Sequence, residues 1–296
     1  MIKKIISIDQ ALNEESCSLA IGFFDGLHLG HKLLIDKVKE SKYKKAVLTF
    51  SSDLLSDVKT KDKALLLTQD EKDQMLDSLG IDIEYILPFD KKTMSTSKED
   101  FLSFLQRLNV KEIVVGDDFT FARNAVGKAN DLLLLEEEGI KVSIVSLMRE
   151  NGEKISSTLI RKLLSEKQIE EANNRLGYQF FYQGEVIHGF HNGSTISFPT
   201  ANMLFETGKL RLPSGVYKTE TVIDGKTYKS MTNIGNHPTI DELNRDVIET
   251  NIINEDFDLY GKTIKVNFIS FIREQKRFNS LEELKAQLLI DKDKCR

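Results

Sequence analysis

From Ser18 to Leu147 the chain alternates between two hydrophobic periods, and that alternation admits few folds. Short apolar runs of strand length, Ser18–Phe23, Lys45–Phe50, Ile83–Leu87, Ile113–Gly116 and Val142–Leu147, are separated by helix-like segments. The segments are His31–Glu40, Asp70–Leu79, Lys98–Leu108 and Ala129–Glu138, and Thr68 before Gln69-Asp70-Glu71 reads as a capping box opening the second of them. Strands alternating with helices predict an open, mostly parallel, Rossmann-like α/β sheet, which takes ligands at the carboxyl ends of its strands.

After Leu176 the pattern changes. From Tyr182 to Phe271 short β runs are separated by turn signals such as Asn192-Gly193, Pro213-Ser214-Gly215 and Asp224-Gly225. This is an antiparallel β-barrel or sandwich pattern, followed by a terminal helix over Ser280–Leu289 with Ser280 as its cap. The expected organisation is an α/β domain over residues 1–175 and an antiparallel β-barrel over 180–296, the boundary running through helical turns near residues 165–182.

With 296 residues, 40% hydrophobic and 29% charged, the chain has material for two sizeable cores and is not a disordered or collagen-like sequence. No stretch approaches the roughly 18 apolar residues of a membrane span, and MIKKIISIDQ turns polar too soon for a secretory signal. The two cysteines, Cys17 and Cys295, make no disulfide framework. A net charge of −5, spread through the chain, argues against a dedicated nucleic-acid binder. The expectation is a cytoplasmic protein that acts on small molecules, with no nucleic-acid or membrane partner.

The segment Gly22-Phe23-Phe24-Asp25-Gly26-Leu27-His28-Leu29-Gly30-His31 joins the first strand to the first helix. A glycine-bearing turn at a helix N-terminus lets backbone N–H groups and positive potential meet a phosphate, which makes Gly22, Phe24, Asp25, Gly26 and Gly30 candidate phosphate contacts. His28 and His31 flank that end and can bond phosphate oxygens as charge builds during displacement at phosphorus. His-x-x-His spacing also occurs in metal sites, but no third ligand stands nearby in the sequence.

His-x-Gly-His after a strand resembles the signature of the nucleotidyltransferase superfamily. Ile155-Ser156-Ser157-Thr158-Leu159-Ile160-Arg161 is similar to that family's second motif, and Val115-Gly116-Asp117-Asp118-Phe119-Thr120-Phe121 to its strand-end loop under the adenine. The resemblance implies phosphate binding by Ser156, Ser157, Thr158 and Arg161, and nucleotide contacts from Gly116 and Asp118. In the second half, Gly184–Gly189, Phe198-Pro199-Thr200-Ala201-Asn202, Pro213–Tyr217, Asn233–Thr239 and Glu249-Thr250-Asn251 occur in an order that resembles the riboflavin kinase domain.

Together the halves resemble the prokaryotic bifunctional riboflavin kinase/FAD synthetase family over nearly the whole chain. The resemblance implies phosphorylation of riboflavin by ATP to give FMN, then transfer of AMP from ATP to FMN to give FAD and pyrophosphate. It implies Mg²⁺ held by Thr200 and Asn202, Glu249 as general base, and kinase ATP or flavin contacts from Gly189, Gly193, Pro199, Asn233 and Arg273. Mg²⁺ suits such a site because it favours hard oxygen donors and keeps several waters.

Some positions depart from the family pattern. Phe23 stands where the family usually has Asn, Ser51-Ser52-Asp53 where it has Pro-His-Pro, and Ala122 where it has Gly. Ser194 and Ser197 replace Arg and Gly of the glycine-rich loop. An FMN adenylyltransferase whose barrel only binds flavin, or a non-enzymatic flavin sensor, are the alternatives these departures leave open.

Overall fold

The computed structural model describes residues 1–10, 15–51, 64–150, 152–187, 199–236, 246–255 and 257–295. It divides into two compact units, Met1–Ser157 and Thr158–Arg296.

The first unit is built on six parallel strands: β1 (Ile2–Ile5), β2 (Cys17–Ile21), β3 (Lys44–Phe50), β4 (Ile83–Leu87), β5 (Val110–Gly116) and, after a short ribbon of two strands described below, β8 (Lys141–Val145). Their order across the sheet is β1-β4-β3-β2-β5-β8. Every residue of β2 and β4 is buried, as expected of strands covered on both faces. Leu19, Tyr85, Phe104 and Ile113 are fully buried in the core they share with the helices.

Those helices are α1 (Leu29–Lys39), α2 (Gln69–Ser78), the short α3 (Lys91–Ser95) and α4 (Lys98–Arg107). The box at α2 forms as its residues predict: the Glu71 N–H donates to Thr68 Oγ1 at 3.3 Å, and the Thr68 N–H to Glu71 Oε2 at 2.9 Å. A small ribbon of β6 (Thr120–Phe121) and β7 (Gly127–Lys128) precedes β8, and a second, β9 (Arg149–Glu150) with β10 (Glu153–Lys154), follows it.

Two elements differ from the sequence reading. β1 was not expected; its lysines and exposed Ile2 and Ile5 carry no core signal, yet it pairs in parallel with β4 at the sheet edge. Ala129–Glu138 is a run of 3₁₀ turns, not an α-helix. Its buried residues Ala129, Leu132 and Leu135 recur every three positions, the period of a 3₁₀ face.

The second unit begins with α5 (Ser157–Ser165, whose first residue falls in the first unit) and α6 (Ile169–Leu176). Asn173 fastens α6 to the barrel: its Nδ2 donates to the Phe268 carbonyl and its Oδ1 accepts from the Phe180 N–H, both at 2.8 Å. The barrel strands are β11 (Phe181–Glu185), β12 (Ala201–Leu204), β13 (Gly215–Ile223), β14 (Lys226–Asn236), β15 (Asp246–Ile252) and β16 (Thr263–Arg273), all antiparallel, in the order β11-β16-β13-β14-β15-β12. A bridge between Ile187 and Asn202 links the two ends of that order and nearly closes the sheet into a barrel. α7 (Leu281–Cys295) packs on the outside and extends beyond the expected end at Leu289.

The barrel interior combines aromatics with hydroxyls. Tyr217 and Tyr182 meet Phe268 edge-on at 5.3 and 5.4 Å. Thr219, Thr221, Ser230, Thr232 and Thr250 are buried and satisfy one another through hydrogen bonds of 2.8–2.9 Å.

Candidate active sites

In the first unit the sheet order reverses at β2: β3 and β4 lie on one side, β5 and β8 on the other. A crevice at the carboxyl ends of the strands on either side of such a switch is where open parallel sheets bind ligands. Gly22 follows β2 there and Gly116 ends β5 there.

The turn after β2 is tightly built. Phe24 and Leu27 have φ of 52° and 37° and are fully buried, and Gly26 has φ of 79°. A Cβ at Gly26 would lie 2.6 Å from Leu66, so only glycine fits. The Asp25 carboxylate accepts from the Leu66 N–H at 2.9 Å, and the Asp25 carbonyl accepts from the Ser157 hydroxyl at 2.8 Å. The turn of the first motif and the serine of the second are thereby joined directly.

His28 caps α1, its Nδ1 accepting from the His31 N–H at 3.3 Å. A neutral His28 therefore carries its proton on Nε2 and presents a donor. The two imidazoles stack at 3.7 Å between centroids with an interplanar angle of 14°. Burial lowers the His28 pKa to about 4, aided by the charge of Lys154. Burial likewise holds His31 well below the usual imidazole range, with His28, Lys154 and Lys72 adding to it. Both rings are thus neutral N–H donors at pH 7, not cations. His31 Nδ1 is buried with no hydrogen-bond partner among the described residues.

Lys154, which the sequence reading passed over, forms an ion pair with Asp118 beside these rings. Its signal in sequence was only a cation two residues before Ser156, indistinguishable from any surface lysine. Gly116 is close-packed, a Cβ there falling 3.1 Å from Asp118 Oδ1. Phe121 is buried 4.9 Å from Phe101, in the core. Phe23 is 43% exposed and sits in a cluster with Phe50 and Phe89, its ring centroid 4.9 and 5.5 Å from theirs. Thr158 and Arg161 lie on α5, one and four residues after Ser157.

In the barrel, strand register assembles residues that are far apart in sequence. Asn202 of β12 stands opposite Glu249 of β15, and Glu249 opposite Asn233 of β14. Val216 of β13 follows, and then Arg273 of β16. Directly paired residues share a face, so one row across five strands carries Asn202, Glu249, Asn233 and Arg273. Asn233 Nδ2 donates to Glu249 Oε2 at 3.0 Å. Thr200 is half-buried just before β12, beside the exposed Pro199.

Asn202 is 4% exposed; its Nδ2 donates to the Thr200 carbonyl at 3.3 Å, while its Oδ1 is buried with no partner among the described residues. An orphaned amide oxygen of this kind fits a hard cation such as Mg²⁺. Arg273 Nε and Nη2 donate to Asp291 Oδ2 at 2.8 and 2.7 Å, tying β16 to α7. Gly189, Gly193, Ser52, Asp53, Ser194 and Ser197 lie outside the described residues.

Comparison with known proteins divides along the same lines. The family model described as FAD synthetase matches residues 10–159, and the one described as riboflavin kinase matches residues 176–296. A bifunctional riboflavin kinase/FMN adenylyltransferase of Listeria monocytogenes is 35% identical over 94% of this chain and 91% of its own length. One of Escherichia coli K12 is 34% identical over 98% and 95%. A crystal structure titled as a macrolide-efflux protein from Streptococcus pneumoniae has a TM-score of 0.88 at 27% identity, covering 99% of this chain and 98% of that one. Among the described residues of this chain no helix is long and apolar enough to cross a membrane.

Proposed function

The chain belongs to the bifunctional riboflavin kinase/FMN adenylyltransferase family, and from that premise we propose how its residues make FMN and then FAD. The barrel phosphorylates riboflavin with ATP, and the α/β unit adenylylates the resulting FMN. The observation that carries the kinase assignment is the row Asn202–Glu249–Asn233, in which a carboxylate is flanked by two amides on one face of the barrel.

Glu249 takes the proton of the riboflavin 5′-hydroxyl as that oxygen attacks the γ-phosphorus of ATP and ADP leaves. Asn233 holds the carboxylate through its amide N–H. Thr200 and Asn202 hold Mg²⁺, the buried Asn202 Oδ1 being the feature that supports this. Bound there, the ion neutralises phosphate charge.

In the α/β unit a phosphate oxygen of FMN attacks the α-phosphorus of ATP in line, and pyrophosphate leaves as the bond to the β-phosphate breaks. His28 Nε2–H and His31 donate to the oxygens on which charge develops. Because the Ser157 hydroxyl proton goes to the Asp25 carbonyl, Ser157 and the Asp25 carboxylate act as ties that hold the turn. Ser156 binds phosphate, joined by Lys154, while Gly22, Phe24, Gly26 and Gly30 shape the turn whose backbone the phosphates approach; the phosphate role of Thr158 and Arg161 rests on their place in the second motif. Gly116 and Asp118 face the nucleotide. Cys17 and Cys295 are buried as thiols, not joined in a disulfide, which supports a reducing cytoplasmic setting.

Chromatography of flavins tests the reading. Pure protein with ATP and Mg²⁺ is expected to yield FMN and FAD from riboflavin, and FAD from FMN. FAD from FMN without any FMN from riboflavin would leave the barrel as a flavin-binding domain only.

A further inference from the structure

The polarity of the amides in the barrel row is fixed by one backbone atom. Gln275, two residues beyond the end of β16, donates from Nε2 to the Ile234 carbonyl at 3.2 Å and to Asn233 Oδ1 at 3.3 Å. A carbonyl can only accept, so the nitrogen end of the Gln275 amide must face it. Asn233 then turns its oxygen toward Gln275 and its NH₂ toward Glu249, where Oε2 accepts at 3.0 Å. Reversing the Asn233 amide would set oxygen against carboxylate oxygen and nitrogen against nitrogen.

The seat of Gln275 is also reserved for it. A Cβ on Gly235 would fall 1.8 Å from Gln275 Nε2, where no atom can stand. Gly235 pairs with Val247 within β14 and β15 and is absent from the positive-φ residues, so its backbone makes no demand for glycine. The missing side chain at 235 is what admits the amide of Gln275.

We infer that Gln275 is a positioning residue of the kinase reaction, orienting the Glu249 carboxylate through Asn233 by way of the space left at Gly235. The inference rests on the reading of Glu249 as the base that accepts the riboflavin hydroxyl proton. Gln275 makes its bonds to protein atoms, so its loss falls on kcat more than on the KM for riboflavin.

The test is steady-state riboflavin phosphorylation by the full chain with ATP and Mg²⁺, in Gln275→Ala, Gly235→Ala, Asn233→Ala, Glu249→Gln and the double variant Asn233→Ala/Gln275→Ala. Gln275→Ala removes the amide, and Gly235→Ala displaces it while leaving it in the chain. Each is expected to lower kcat roughly tenfold with KM for riboflavin held within about twofold. In the Asn233→Ala background, removing Gln275 is expected to cost nothing further. Wild-type kcat in both single variants, or a Gln275→Ala effect that persists in full without Asn233, overturns the inference. Glu249→Gln separates the two readings: if it keeps its kcat the base assignment itself is wrong, and if it loses kcat while Gln275→Ala and Gly235→Ala do not, only the role of Gln275 fails.

Discussion

Ala122 has φ 63° and ψ 176°, a backbone region that is in practice reserved for glycine. The strain is concentrated locally, since Asn124 and Ala125 also have positive φ, at 57° and 55°. Holding a side chain there costs on the order of 1–3 kcal/mol. Ala122→Gly relieves it but gives the unfolded chain more freedom, which returns part of the gain. The expected net effect is a stabilisation of about 1 kcal/mol, read as a higher denaturation midpoint. An unchanged or lowered midpoint would mean the loop relaxes around alanine. The sequence marks position 122 as a departure from a glycine pattern, but φ is set by the turn that Phe119 and Phe121 impose in packing inward, which no local pattern carries. His28 and His31 divide in the same way. Their residue types and spacing are legible, whereas their neutral state follows from burial and from the approach of Lys154, a residue 126 positions from His28.

At the scale of elements, what is local in sequence is legible and what depends on distant packing is not. The Thr68–Glu71 box and the Ser280 cap of α7 lie within four residues of chain, and both form. Arg273 depends on a partner eighteen residues away. The resemblance implies an ATP or flavin contact for it, and the fold adds what the sequence does not show: its guanidinium donates to Asp291, which is fully buried on α7 and also accepts from Gln287 Nε2 at 2.9 Å. Breaking one side of a buried pair leaves a charge without compensation, which typically costs about 3–5 kcal/mol. Asp291→Ala is therefore expected to destabilise the barrel by about that amount and to release α7. Cys295 reports the release: it is fully buried at the end of α7, and burial pushes its thiol up to about 11. Its labelling by a thiol reagent should accelerate in the variant. Slow labelling and wild-type stability would mean that packing on Val216, Met231 and Ile253 holds the helix without the ion pair.

For the whole molecule, the fold class follows from periodicity, because the switch from alternating strands and helices to strands alone occurs along the chain. The candidate kinase site does not, because it is a row across strands. Asn202, Asn233 and Glu249 are brought together by the register of β12, β15 and β14, and register depends on turn geometry and on which face of each strand is buried. The two proposed sites draw their principal residues from different compact units, His28 from one and Glu249 from the other. Their losses should therefore separate. Glu249→Gln is expected to lower FMN formation by about 10²–10⁴-fold while FAD forms from added FMN at the wild-type rate. His28→Ala is expected to do the reverse, lowering adenylyl transfer by about 10²–10³-fold and sparing FMN formation. FMN is a soluble intermediate, so an equimolar mixture of the two variants should convert riboflavin to FAD after a lag while FMN accumulates. If each variant keeps its remaining activity but the mixture makes no FAD from riboflavin, FMN does not pass through solution, and both sites must act from a single chain.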